Sequence, residues 1–68
     1  MLSIDQRIGI RIRGKRLALG LCLADLAHAV GVNSETIEAY ERGIQRVPSE
    51  HLVKLVDVLG VTLSYFML

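Results

Sequence analysis

The stretch "LADLAHAVGVNSETIEAYERG", residues 23–43, decides how this chain folds. Leu23, Leu26, Ala27 and Val30 recur at helical spacing and predict a short helix over about 23–29. Gly31 interrupts it. Asn33 or Ser34 can then cap a second helix, accepting bonds from its first free amides. That helix should run to about Arg42, with Ile37 and Tyr40 facing inward, and Gly43 stops it. The spacing of Leu26, Ala27, Gly31, Val32 and Ile37 has a steric logic. Helices crossing near a right angle need a small residue at closest approach, which suits Ala27. A tight turn between them needs a positive φ, which suits Gly31. Val32 and Ile37 would plug the corner beneath the turn.

Outward from this stretch the chain is more helix. Ser3 followed by Gln6 is a capping-box pattern opening a helix over about Ile4–Leu19. Ile8, Ile12 and Leu19 lie near one face of it, and Gly20 ends it. Gly9 and Gly14 inside this helix suggest close packing, at a cost in helix propensity. After the loop "IQRVP", residues 44–48, a helix over about Ser49–Leu59 carries Leu52, Leu55, Val56 and Leu59 on its core stripe. Gly60 ends it. "VTLSYFML", residues 61–68, reads as a last short turn or helix. No segment alternates like a strand. The expectation is an all-α, compact five-helix bundle, a single domain over 1–68.

The 68 residues limit the core, since a chain this short buries only about 60% of its unfolded surface. Yet 51% of them are hydrophobic, more than a disordered segment carries. Part of that surface is expected to face a partner, either a second copy or a further domain. The single cysteine, Cys22, allows no internal disulfide and fits a reducing cytosol. There is no signal-peptide pattern, and the uncharged stretch from Val58 to Leu68 is far short of the roughly 20 residues that span a bilayer.

Net charge is only +1, but it is unevenly spread. Residues 1–20 hold Arg7, Arg11, Arg13, Lys15 and Arg16 against Asp5. Residues 21–41 hold Asp25, Glu35, Glu38 and Glu41 and no lysine or arginine. Any basic patch for nucleic acid must therefore come from the first helix and from the chain after residue 41.

The spacing in residues 26–37 is the helix-turn-helix signature, in which the second helix is held outward to reach base edges. Nearly the whole chain resembles the phage repressor/Cro type of this domain. "RIRGKRLALGL" is similar to that family's first helix and "LVKLVDVLGVTLSYF" to its closing helices. "YERGIQRVPSEHLVKLVDVLGV" resembles regulators common in alphaproteobacteria. The resemblance implies a sequence-specific, repressor-like regulator of transcription, cytoplasmic, that binds double-stranded DNA as a homodimer. It implies that Arg16 and Glu41 bridge the first and third helices. Base readout would fall to Asn33, Ser34, Glu35, Thr36 and Ala39. Ser34 and Thr36 can bond bases or phosphates, Glu35 can accept from cytosine N4, and Ala39 can touch a thymine methyl. Arg42, Gln45 and Arg46 would hold phosphates, helped by bases of the first helix. The tail has two readings: it completes the core, or it presents Tyr65, Phe66, Met67 and Leu68 to a second copy, a dimer face that Val53 and Val58 would extend.

Two positions depart from the family pattern. A Ser or Thr followed by Gln usually opens its second helix, where this chain has Cys22 and Leu23. Leu23 cannot anchor a phosphate, and Glu35 and Glu38 add repulsion, so non-specific affinity should be weak. The competing reading is a protein-interaction module on the same scaffold, an antirepressor or antitoxin-like partner. A third is the N-terminal part of a longer regulator. His28 and His51 have no Cys, Asp or Glu at ligand spacing, so no metal or cofactor is expected. Nothing orders Ser, His and Asp into a catalytic arrangement, so no enzyme is expected.

Overall fold

The computed structural model describes residues 1–67; Leu68, placed above at the dimer face, lies outside them. Five helices follow one another: α1 (Ile4–Ala18), α2 (Leu23–Val30), α3 (Ser34–Glu41), α4 (Ser49–Leu59) and α5 (Leu63–Met67). No strand occurs among the described residues.

The helix ends follow from local chemistry. Ser3 Oγ accepts from the Gln6 N–H at 3.1 Å, and Gln6 Oε1 accepts from the Ser3 N–H at 2.9 Å, which closes the capping box of α1. α1 to α4 all stop in one way. An amide two or three residues past the last helical position reaches back five residues: Leu21 to Arg16 O, Val32 to Ala27 O, Ile44 to Ala39 O and Val61 to Val56 O. Each of these amides belongs to an apolar residue that follows a glycine. This closure satisfies a carbonyl that the helix itself leaves free.

The core comprises Ile8 and Ile12 of α1, Leu26, Ala27 and Val30 of α2, and Ile37 and Tyr40 of α3. Leu52, Leu55 and Leu59 of α4 and Phe66 of α5 complete it. α1 runs against both α3 and α5, while α2 bridges α3 and α4.

Several sequence expectations change here. Leu19 is exposed, because α1 ends at Ala18 and the chain turns at Gly20, so Leu21 packs on the core instead. Leu23 and Val56 are half-buried rather than central. Gly9 and Gly14 part company: a Cβ on Gly9 would strike the carbonyls of Tyr40 and Glu41, whereas one on Gly14 meets nothing within 4 Å. Phe66, placed at a dimer face by one of the two readings of the tail, is 1% exposed and belongs to the core, as the other reading has it. Burial of a ring that size stabilises by about 1.5–3 kcal/mol, far more than a rim contact. Val58 and Tyr65 also pack partly on the core, whereas Val53 and Met67 are exposed.

Candidate nucleic-acid interface

α3 is held by its back and its two ends, which leaves its first turn facing outward. At the leading end Gly31 takes φ +89°. Its N–H and that of Val32 both donate to Ala27 O, at 2.8 and 3.0 Å. A Cβ is strained at this φ, so glycine is required for so short a turn. At the trailing end α1 lies directly on the backbone of Tyr40 and Glu41, a contact possible only because residue 9 is glycine. Arg16 then clamps α3 from α1. Its Nε donates to Glu41 Oε2 at 2.7 Å and its Nη2 to Oε1 at 3.0 Å, while Nη1 donates to Leu21 O at 2.9 Å. The hydrogen bond to Glu41 raises the Arg16 pKa further above its ordinary value, against the opposing effect of burial. Tyr40 Oη lies 2.9 Å from His51 Nδ1 and ties α3 to α4. Burial raises the Tyr40 pKa, with a smaller push from Glu50.

The pair explains one of the three glutamates of α3. Glu41 points inward and is neutralised, so only Glu35 and Glu38 remain as exposed carboxylates on this helix.

The first turn of α3 has a defined hydrogen-bonding polarity. Asn33 is the N-cap: its Oδ1 accepts from the Thr36 N–H at 2.8 Å and from the Thr36 hydroxyl at 2.7 Å. Both lone-pair positions of that oxygen are used, so Asn33 retains only the donors of its amide nitrogen. The Thr36 hydroxyl donates its one proton to Asn33 Oδ1 and retains only acceptor capacity, so it cannot donate to a phosphate while it makes this contact. This narrows the broader role read from the sequence. Glu35 is exposed, and Ser34, Thr36 and Ala39 are half-buried on the same short helix.

Arg42, Gln45 and Arg46 are exposed just beyond α3. Arg46 Nε lies 3.4 Å from Asp5 Oδ1, but the arginine side chain remains 83% exposed. Such a pair contributes little and releases easily. A concavity of about 310 Å³ lies beside α3, lined by Arg13, Arg16, Leu23, Glu38, Glu41 and Arg42. Arg13 of α1 thus lines the same concavity as Arg42, a placement the sequence reading did not single out. Its spacing of three from Arg16 was the available signal, since residues three apart share a helix face.

Cys22 caps α2 without a side-chain bond of the usual kind, as its residue type suggested. Asp25 supplies the other half of the arrangement: its Oδ2 accepts from the Cys22 N–H at 3.1 Å. That backbone hydrogen bond holds the Asp25 carboxyl below its ordinary pKa. Among the described residues no cluster of three or more metal-ligating side chains occurs, and no helix is long and apolar enough to cross a membrane.

A short helix presented across a glycine turn and braced from behind by a buried ion pair defines a helix-turn-helix domain. The helix-turn-helix family pattern matches residues 12–66, and the chain belongs to that family, in its repressor/Cro-type form. An uncharacterized transcriptional regulator in the ATPase CF(0) region of Rhodospirillum rubrum is 36% identical over 63 residues, covering 93% of this chain and 58% of that protein. The chain spans about half the length of the curated relatives it matches. The P22 c2 repressor, solved in complex with a synthetic operator, superposes with a TM-score of 0.83 at 32% identity, over 87% of this chain and 89% of that one. SinR, a master regulator for biofilm formation solved in complex with DNA, gives 0.79 at 34% identity, over 88% and 97%.

Proposed function

We propose that this chain reads DNA sequence with α3 in the major groove and acts in transcription regulation, in repressor fashion and as a homodimer. A DNA target places this work in the cytoplasm. The observation that carries the reading is the presentation of α3. Its back is locked by Arg16–Glu41 and by the Gly9 contact, and its first turn is left free. The likeness to repressor structures solved with operator DNA supports it.

On this reading Glu35 and the acceptor of Thr36 face exocyclic amines, as on cytosine N4 or adenine N6. Asn33 donates to a base or phosphate oxygen. Ser34 and Ala39 complete the readout. Arg42, Gln45 and Arg46 hold the backbone, with Arg13 joining them from α1. A homodimer would place two copies of α3 one helical turn of DNA apart. Its face would draw on the exposed Val53 and Met67 rather than on Phe66.

The test is a fluorescence-anisotropy titration against random duplexes at low and physiological salt, with sequencing of the bound fraction. Selection of a palindromic motif with a steep salt dependence is the expected result. The slope of log K against log salt should approach about −0.9 per phosphate neutralised, hence about −5 for a dimer with three arginines on phosphates in each protomer. No binding at low salt would reject the reading and turn attention to a protein that docks on Glu35 and Glu38.

A further inference from the structure

A second surface lies on the far side of α1. Leu2, Arg7, Ile10, Arg11, Gly14 and Tyr65 line an open trough of about 420 Å³. Its walls are mostly apolar, and its two charged side chains are both arginines. Among the described residues neither arginine forms an ion pair. The Arg11 guanidinium lies 5.1 Å from the centre of the Tyr65 ring, a cation–π contact that ties α1 to α5 and fixes one wall. Arg7, Ile10, Arg11 and Gly14 follow the i, i+3, i+4, i+7 pattern, so the trough runs along about two turns of α1. Leu17 extends the apolar edge by two further turns beyond Ile10; the two are 51% and 54% exposed.

We propose that this trough docks an acidic amphipathic helix of a partner protein, its apolar side chains against Leu2, Ile10 and Tyr65 and its carboxylates on Arg7 and Arg11. Three physical arguments select this occupant. A second copy of the chain in a symmetric pair would set the same patch against itself. Four arginines would then meet with no acid in either lining. A DNA backbone would satisfy the arginines but has no use for the apolar walls. The trough also faces away from α3, because Gly14 lies about 140° around the helix from Gly9, which touches α3. A small ligand would need enclosure, and this trough is open along its length. A helix laid in a groove supplies apolar anchors at the spacing the trough offers. The proposal does not depend on DNA binding, and the trough stays accessible when α3 is occupied.

Gly14 provides a clean block. A Cβ there meets nothing within 4 Å, so Gly14→Leu fills the trough without disturbing the fold and favours the helix. The probe is a fluorescein-labelled peptide of about 18 residues, long enough to populate helix, with leucines on one face and flanking glutamates. Its controls carry lysine for glutamate or serine for leucine. The expected result is saturable binding of the acidic leucine peptide, weaker by about tenfold for either control. Gly14→Leu should reduce it about tenfold or more, with an undiminished melting temperature. Arg7→Gln with Arg11→Gln should weaken it and flatten its salt dependence. Absence of binding, or binding untouched by Gly14→Leu, overturns the proposal. So does equal binding of the lysine peptide. A dimer in sedimentation that Gly14→Leu dissociates would assign the trough to a second copy instead. Displacement of amide resonances at Ile10 and Gly14 by dodecanoate but not by the peptide would assign it to a small amphiphile.

Discussion

Replacing Glu41 by alanine should be among the most damaging single changes available to this chain. The Arg16 and Glu41 side chains are 9% and 4% exposed, and two of the three guanidinium bonds named above end on that carboxylate. Removing the carboxylate leaves a buried cation with one carbonyl partner, Leu21 O. Breaking one side of a buried pair costs about 3–5 kcal/mol. A 68-residue chain has a total stability of only about 3–10 kcal/mol. Glu41→Ala should therefore lower the melting temperature by at least about 12 °C and unfold the protein outright if wild-type stability sits at the low end. Thermal and urea denaturation followed by circular dichroism measure this directly. The double change Arg16→Met with Glu41→Leu removes both charges and should recover most of the loss, because apolar isosteres of a buried pair are often neutral or stabilising. A Glu41→Ala penalty below about 1 kcal/mol would refute the reasoning, since it would mean that the pair behaves as a solvent-screened surface bridge.

Three further outcomes follow from the geometry. Gly9→Ala should destabilise by about 2 kcal/mol or more, because its Cβ meets rigid backbone, whereas Gly14→Ala should stabilise by up to about 1 kcal/mol; urea midpoints of the two variants separate the sites. The Asp25 carboxyl is lowered by the Cys22 N–H, so its contribution is present above the unfolded pKa of about 3.9 and is lost as pH falls through the folded value. Asp25→Asn should thus be less stable than wild type at pH 7 and lose less on acidification below about pH 4, as melts across pH will show. For DNA, Arg46→Ala should weaken all sequences alike and reduce the salt slope by about 1 per protomer, while Glu35→Gln should change the selected motif; competition titrations with specific and random duplexes distinguish them.

Much of this molecule is legible residue by residue. Helix starts and stops depend on atoms within a few positions of each other. The Ser3–Gln6 box, the Asn33 cap and the glycines at 20, 31, 43 and 60 therefore announce five helices before any packing is known. The i, i+3, i+4 stripes likewise placed most of the core, and the spacing around Gly31 carried the family. The Arg16–Glu41 pairing spans 25 residues and came from resemblance, because no local pattern encodes a contact at that separation.

Other features belong to the tertiary structure alone. Gly9 and Gly14 are identical in sequence terms, yet one lies against the end of α3 and the other faces open space, a difference made by the neighbouring helix. Phe66 and Met67 are adjacent apolar residues, but only Phe66 faces the core, because α5 turns one side to α1 and α4. Arg13 and Arg42 are separated along the chain and line one concavity only because α1 packs against α3. The trough under Tyr65 exists only because α5 folds back on α1. Local sequence determined which segments are helical and where they end, since those choices rest on short-range hydrogen bonds and periodicity. Which of their faces are buried, paired or left open was decided by the packing of helices far apart in the chain.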